Sequence, residues 1–154
     1  MELKIREAEQ DDLRSLIVLY SQPDMDDGQA ITLEKAAEIL AKTKEYPFYK
    51  IFVAVLKEES VGTFELLIMD SLAHRGKPSG IIEDVVVAEK YRRKGIGRAM
   101  MLHAVKICRE MDCYKVSLSN NVKRENAHRF YDHWDLQNTD IVFIWESQSA
   151  TREP

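Results

Sequence analysis

The sequence predicts an α/β domain in which a mixed β-sheet carries helices on both faces. Three observations predict it. The elements run strand, two helices, three strands, helix, strand, helix, strand, an order that sets helices against a sheet. Residues 49–57 are apolar on both sides, with Ile51, Val53 and Val55 against Phe52, Ala54 and Leu56; a strand of that kind is covered on both faces. Finally, a β-branched strand at 81–87 passes through a glycine-containing turn into a long helix, and another strand starts at Tyr114. Strands joined through a helix in this way lie parallel, with a right-handed crossover.

Each element has a local cause. Leu3-Lys4-Ile5-Arg6 alternates and reads as the first strand. Asp11 or Asp12 can cap a helix with Leu13, Leu16, Ile17 and Tyr20 on its apolar side, and Pro23 ends it. Residues 23–30 form a polar loop holding Asp24, Asp26 and Asp27. Thr32 caps a second helix, with Leu33, Ala36, Ala37 and Leu40 on one side, and Tyr46-Pro47 closes it. After strand 49–57, the turn Lys57-Glu58-Glu59-Ser60 returns the chain antiparallel along 61–69. Residues 70–80, with Gly76, Pro78 and Gly80, are a long loop. The strand at 81–87 and the helix to about Met111 follow. A strand at 114–119, a helix at 126–134 and a last strand at 141–145 complete the order, with 147–154 a loose tail. No repeat or linker divides the chain, so 1–154 is expected to be a single domain.

Composition excludes several classes of function. The net charge of -4 argues against nucleic acid as a partner. No stretch is long and apolar enough to cross a membrane, and Met1-Glu2-Leu3-Lys4 lacks a signal peptide's apolar region. Cys108 and Cys113 are too few for a disulfide framework and are expected to stay reduced in a cytoplasmic protein.

The informative stretch is Ile81 to Met101. Lys90, Arg92, Arg93, Lys94 and Arg98 crowd the start of a helix, where the macrodipole disfavours positive charge. Gly95 and Gly97 stand where better helix formers belong. A bound phosphate group accounts for both. Glycine lets the backbone approach, the first free N–H groups point at the oxygens, and the basic side chains add charge. A dinucleotide fold fits poorly, because Met100 occupies the place of the third glycine and no chain of alternating strands and helices surrounds the turn.

Arg92-x-x-Gly95-x-Gly97, with Asn126-Ala127-His128-Arg129-Phe130-Tyr131 on the following helix, resembles the two motifs of the GNAT superfamily of acyl-CoA N-acyltransferases. The resemblance implies a central, mostly antiparallel, splayed sheet of six to seven strands. It implies acetyl-CoA as co-substrate, its pyrophosphate wrapped by Arg92, Arg93, Lys94, Gly95, Ile96, Gly97, Arg98 and Ala99. The backbone of Val85, Val86 and Val87 would pair with the pantetheine arm, Asn126 would contact the arm, and Tyr131 would face the sulfur. A homodimer is also expected from the family. The family's Gly-Phe pair is missing after Tyr131, where the chain reads Asp132-His133-Trp134-Asp135-Leu136; Asp135 would supply the left-handed turn. Two stretches are similar to narrower groups. Residues 82–87, with Cys113-Tyr114-Lys115, resemble glucosamine-6-phosphate N-acetyltransferases. Asn121-Val122-Lys123-Arg124, leading into Ala127 to Tyr131, resembles aminoalkylphosphonate N-acetyltransferases.

Acetyl transfer to an amine needs a proton removed from the ammonium and a departing thiolate protonated. A Tyr hydroxyl, with a pKa of about 10, can donate to that thiolate, so Tyr131 is the candidate acid. Glu83 and Asp84 are carboxylates in an otherwise buried strand, a costly placement outside a wet cleft. Alternation places them on opposite faces, Glu83 with Val85 and Val87. Glu83 is the candidate acceptor of the amine proton, directly or through water; Asp84 would bind the acceptor or pair with a cation. Arg75 and Lys77, in the preceding loop, would grip an anionic, phosphate- or phosphonate-bearing amine. His128 and His133 are five apart, wrong for a metal face, so no metal is expected. A non-catalytic acyl-CoA-binding sensor is the alternative class of function.

Overall fold

The computed structural model describes residues 2–118. The helix expected over 126–134, the strand over 141–145, the tail, and the side chains of Asn126 and Tyr131 lie outside the described residues. Within them the order is β1 (Leu3–Glu7), α1 (Leu13–Tyr20), α2 (Pro23–Asp26), α3 (Leu33–Thr43), β2 (Tyr49–Leu56), β3 (Glu59–Met69), β4 (Ser79–Val87), α4 (Ile96–Glu110) and β5 (Lys115–Leu118). The five strands lie in sequence order in one sheet. Neighbours from β1 to β4 are antiparallel, while β4 and β5 run parallel through the α4 crossover.

Helices cover both faces, as the doubly apolar β2 requires. On one face Leu13, Leu16 and Leu19 of α1 and Ala36 and Leu40 of α3 close over Ile51, Val53 and Val86. On the other face Phe52 stacks on Phe64 at 4.9 Å, and His103 of α4 meets Phe52 edge-on at 5.4 Å. α4 seats closely on the sheet because glycine leaves room for it. A Cβ on Gly80 would collide with Cys108 Sγ, and one on Gly62 would come within 2.9 Å of Met100 Sδ. Burial pushes the Cys108 thiol up to about 12, so it is a packing group and not a nucleophile.

Several boundaries differ from expectation for local reasons. The polar loop after α1 contains the one-turn α2. Pro23 fits its first position, where the missing N–H costs nothing, and Asp27 ends it in the left-handed conformation at φ 53°. Thr32 caps α3 as expected, accepting from the Lys35 amide at 3.2 Å. Asp12 acts ahead of α1, in a 3₁₀ turn, where its Oδ2 accepts from the Glu9 amide at 2.8 Å. The same carboxylate takes both ends of the Arg6 guanidinium, at 2.6 and 2.9 Å, which ties β1 to the start of α1. Among the described residues no helix is long and apolar enough to cross a membrane.

The Arg6 hydrogen bonds hold the Asp12 carboxyl below the usual carboxylate range. A depressed folded pKa adds stability that is present above the ordinary carboxylate pKa and is lost as pH falls through the folded value. Asp12→Asn is therefore expected to destabilise the protein at neutral pH by about 1–2 kcal/mol, the lower part of the range for charge-assisted bonds because Arg6 is partly open to water. In urea melts the gap between the two proteins should narrow in acid; a gap that widens there contradicts the pairing.

Candidate active site

The strand–turn–helix forms as the sequence predicts. After β4 a 3₁₀ turn, Glu89–Tyr91, leads to Gly95, which caps α4 in the left-handed conformation at φ 81°. No side chain caps this end, and the first helical bond runs from the Ala99 amide to the Gly95 carbonyl at 3.0 Å. The amides of Ile96, Gly97 and Arg98 thus precede the helical ladder and face outward, the arrangement that receives an anion. Arg93, Lys94 and Arg98 are exposed around them. Three of the expected cations are engaged within the chain, Lys94 through a bond from its Nζ to the Lys90 carbonyl at 2.9 Å. Arg92 donates through Nε to the Val87 carbonyl at 3.1 Å and pairs with Asp24 at 2.9 Å. Lys90 pairs with Glu59 at 2.5 Å.

In β4, Glu83 and Asp84 meet a broken ladder. Thr63 pairs with Val86 and Glu65 with Glu83, so the single residue Phe64 stands opposite two, Asp84 and Val85. Asp84 makes the bulge at φ 51°. The extra residue shifts the alternation. Directly paired residues share a face, so Glu83 lies on the α1 side with Glu65 and Val86, not with Val85 and Val87. Asp84 also reaches that side, where it lines a cavity with Glu65. The expectation that the two acids face opposite ways is thus corrected, because strict alternation assumes an unbroken ladder. Toward β5, pairing covers Ser79 to Ile82; among the described residues no strand pairs with Val85, Val86 or Val87 on that side.

The cavity, of about 220 Å³, lies between α1, the α2–α3 segment and the sheet. Its polar centre is Glu65, a residue not singled out from the sequence. Tyr49 donates to Glu65 Oε2. Tyr20 reaches Oε1 at 3.4 Å and Thr63 Oγ1 at 3.3 Å. Because Thr63 spends its own proton on the Phe52 carbonyl at 2.8 Å, the Tyr20 proton is shared between the two acceptors and Tyr49 makes the firmer bond. Burial pushes the Glu65 carboxyl above its ordinary range; the Tyr49 bond opposes this, and the charges of Asp84 and Glu83 add to it. Burial and the nearby carboxylate also raise both phenols, which keeps them protonated donors. The signal that could have found Glu65 was available: a lone carboxylate in a strand apolar on both faces must be paired or wetted.

The remaining expected residues are spread out. Lys77 pairs with Asp112 at 2.8 Å, and His74 stacks on Tyr114 at 3.8 Å, so their loop is fastened to the α4–β5 turn. Arg75 is exposed in that loop, and neither Arg75 nor Lys77 lines the Glu65 cavity. Asp26 does line it, and Asp24 belongs to Arg92. A wider groove of about 980 Å³ runs past Lys57, Glu58 and Lys90. It is an open surface whose Glu59 is already taken by Lys90 and Tyr91. Among the described residues no group of three His, Cys, Asp or Glu side chains could hold a metal ion.

Fold and site together define an α/β protein with an anion-receiving helix start and an acidic cavity on the α1 side of its sheet. The family model described as Acetyltransferase (GNAT) family matches residues 5–134, and the chain belongs to this family. Glucosamine 6-phosphate N-acetyltransferase of Trypanosoma brucei brucei is 36% identical over 74 residues, 48% of this chain and 50% of that protein. A solved Trypanosoma brucei acetyltransferase is 26% identical with a TM-score of 0.81, covering 95% of this chain and 100% of that one. A solved transcriptional regulator from Bacillus halodurans C-125 superposes with a TM-score of 0.87 at 21% identity, over 95% of this chain and 100% of that one, a likeness of fold alone. The chain spans 37% to 60% of the length of the curated relatives it matches.

The Glu65 clamp makes a signed prediction. A hydrogen bond to the ionised form favours it, so Tyr49→Phe is expected to raise the Glu65 pKa further, and Tyr20→Phe to raise it less. Carbon-detected NMR titration of the carboxyl measures this. A fall in Tyr49→Phe contradicts the clamp.

Proposed function

We propose that the chain is an acetyl-CoA-dependent N-acetyltransferase that acetylates the primary amine of a small substrate by direct attack in a ternary complex. The observation that carries this reading is the left-handed Gly95 at the cap of α4, with the amides of Ile96, Gly97 and Arg98 outside the helical ladder. A diphosphate there would be met by these amides and by exposed Arg93, Lys94 and Arg98. The thioester arm would run along the backbone of Val85, Val86 and Val87 toward the bulge. Acetyl-CoA supplies the activated acetyl group; the chain supplies orientation and proton transfer. Asn126 would hold the arm. Tyr131 would protonate the departing thiolate, and a carboxylate of the Glu65–Glu83 pair, directly or through water, would accept the amine proton. The name of the T. brucei relative suggests an amino-sugar phosphate. Lys77, one of two cations expected to hold such a phosphate, is engaged with Asp112, so the proposal is for a small primary amine without a required phosphate.

Acetyl-CoA is expected to raise the melting temperature of the protein. In Gly95→Ala, where a Cβ strains the left-handed residue by about 1–2 kcal/mol, coenzyme affinity should fall about tenfold. Thiol release across an amine panel should be seen with the parent and should drop about 100-fold or more in Tyr131→Phe. Absence of thermal protection overturns the reading. Protection without turnover on any amine favours the acyl-CoA sensor instead.

A further inference from the structure

The cavity beside β4 has a composition that bears on what enters it. Its walls are apolar, with Ile17, Met25, Ile31, Ile39 and Ile51 among them. Its polar groups are Glu65, Asp84 and Asp26, with the Tyr20 hydroxyl and Gln29. No Lys, Arg or His of the described residues lines it. Among the described residues a phosphate would meet like charge there and no cation, whereas an ammonium would meet Glu65, a carboxylate held in place by two phenols. At about 220 Å³ the space lies below the drug-sized range of about 300–1,000 Å³.

We propose that Glu65, clamped between Tyr49 and Tyr20, receives the ammonium of the acceptor and takes its proton, and that the cavity selects primary amines carried on a small apolar body over amines carrying a phosphate. The inference rests on the N-acetyltransferase reading and deepens it. Glu65 is favoured over Glu83 because it stands in the lining, while Glu83 faces it across the β3–β4 ladder. Asp84 adds a second negative charge on the same cavity, and its bulge carries the carboxylate there. The upward push of burial on Glu65 brings this base closer to the pH at which an amine must be deprotonated.

The step balances as RNH3+ with acetyl-S-CoA giving RNH-acetyl, HS-CoA and one proton. The ammonium gives its first proton to Glu65, which passes it to water. The nitrogen lone pair forms the C–N bond, and collapse of the tetrahedral adduct breaks the C–S bond. The second nitrogen proton balances the one that the sulfur receives.

The test uses the full chain with acetyl-CoA and four amines: phenethylamine, hexylamine, glucosamine 6-phosphate and 2-aminoethylphosphonate. The two apolar amines are expected to show the higher kcat/KM. Glu65→Gln, which keeps the shape and one acceptor oxygen for Tyr49 while Tyr20 retains Thr63, should lower kcat by about 10²–10⁴-fold and abolish the acid limb of the pH profile. Asp84→Asn, which still tolerates the left-handed turn, should raise the KM for amine more than it lowers kcat. Acetyl-CoA should protect all three proteins against melting. A preference for the phosphorylated amines, or a Glu65→Gln enzyme with the parent's rate and acid limb, overturns this inference while leaving the acetyltransferase reading standing. Loss of acetyl-CoA protection in the parent overturns both.

Discussion

The site depends on one break in a hydrogen-bonded ladder. Between the Thr63–Val86 and Glu65–Glu83 pairs, β4 carries one residue more than β3. The excess is absorbed at Asp84, whose left-handed backbone is one that Asp adopts more readily than most residues. Without the bulge, regular alternation would send Asp84 to the α4 side, among Phe52, Phe64 and His103. With it, Asp84 lines the α1-side cavity and Val86 still seats in the core under Leu13 and Leu16. A small backbone irregularity therefore decides which face of the sheet is acidic.

The chain between α1 and α3 connects the two halves of the site. Gln22 Oε1 accepts from the Glu89 amide at 3.0 Å, and Asp24 holds Arg92. One and two residues further on, Met25 and Asp26 line the cavity. The segment is thus anchored on the turn before α4 at one point and forms cavity wall at the next. Arg92 is not held open as a bare charge. Its guanidinium is balanced by Asp24, and its Nε caps the last carbonyl of β4. The exposed side chains on the anion-receiving side are Arg93, Lys94 and Arg98, around amides whose direction is set by the helix itself.

Much of this was legible in the sequence. Among the described residues the strands and the helices α1, α3 and α4 followed from periodicity and from Gly, Pro and Thr at their ends, and helix packing on both faces followed from the doubly apolar β2. The Gly95 turn was legible because glycines and cations at a helix start violate local preference, and such violations tend to mark function. The orientation of Glu83 and Asp84 was not, since a bulge leaves no mark on a pattern of period two. Glu65 left one mark, a carboxylate among apolar residues, but nothing in Thr63-Phe64-Glu65-Leu66 says what it bonds. Its partners were equally silent: Tyr20 counted as helix face and Tyr49 as a strand start, and only the fold brings residues 16 and 45 positions away onto one carboxylate.

The most direct measurement is a crystal structure with a bisubstrate analogue, coenzyme A joined through an acetyl bridge to phenethylamine. The account predicts its diphosphate on the amides around Gly95 and Gly97, its bridging nitrogen within hydrogen-bonding distance of Glu65, and its ring against Ile17 and Ile51. An analogue bound with the diphosphate there but with the amine arm away from Glu65, or one whose diphosphate sits elsewhere, would contradict it.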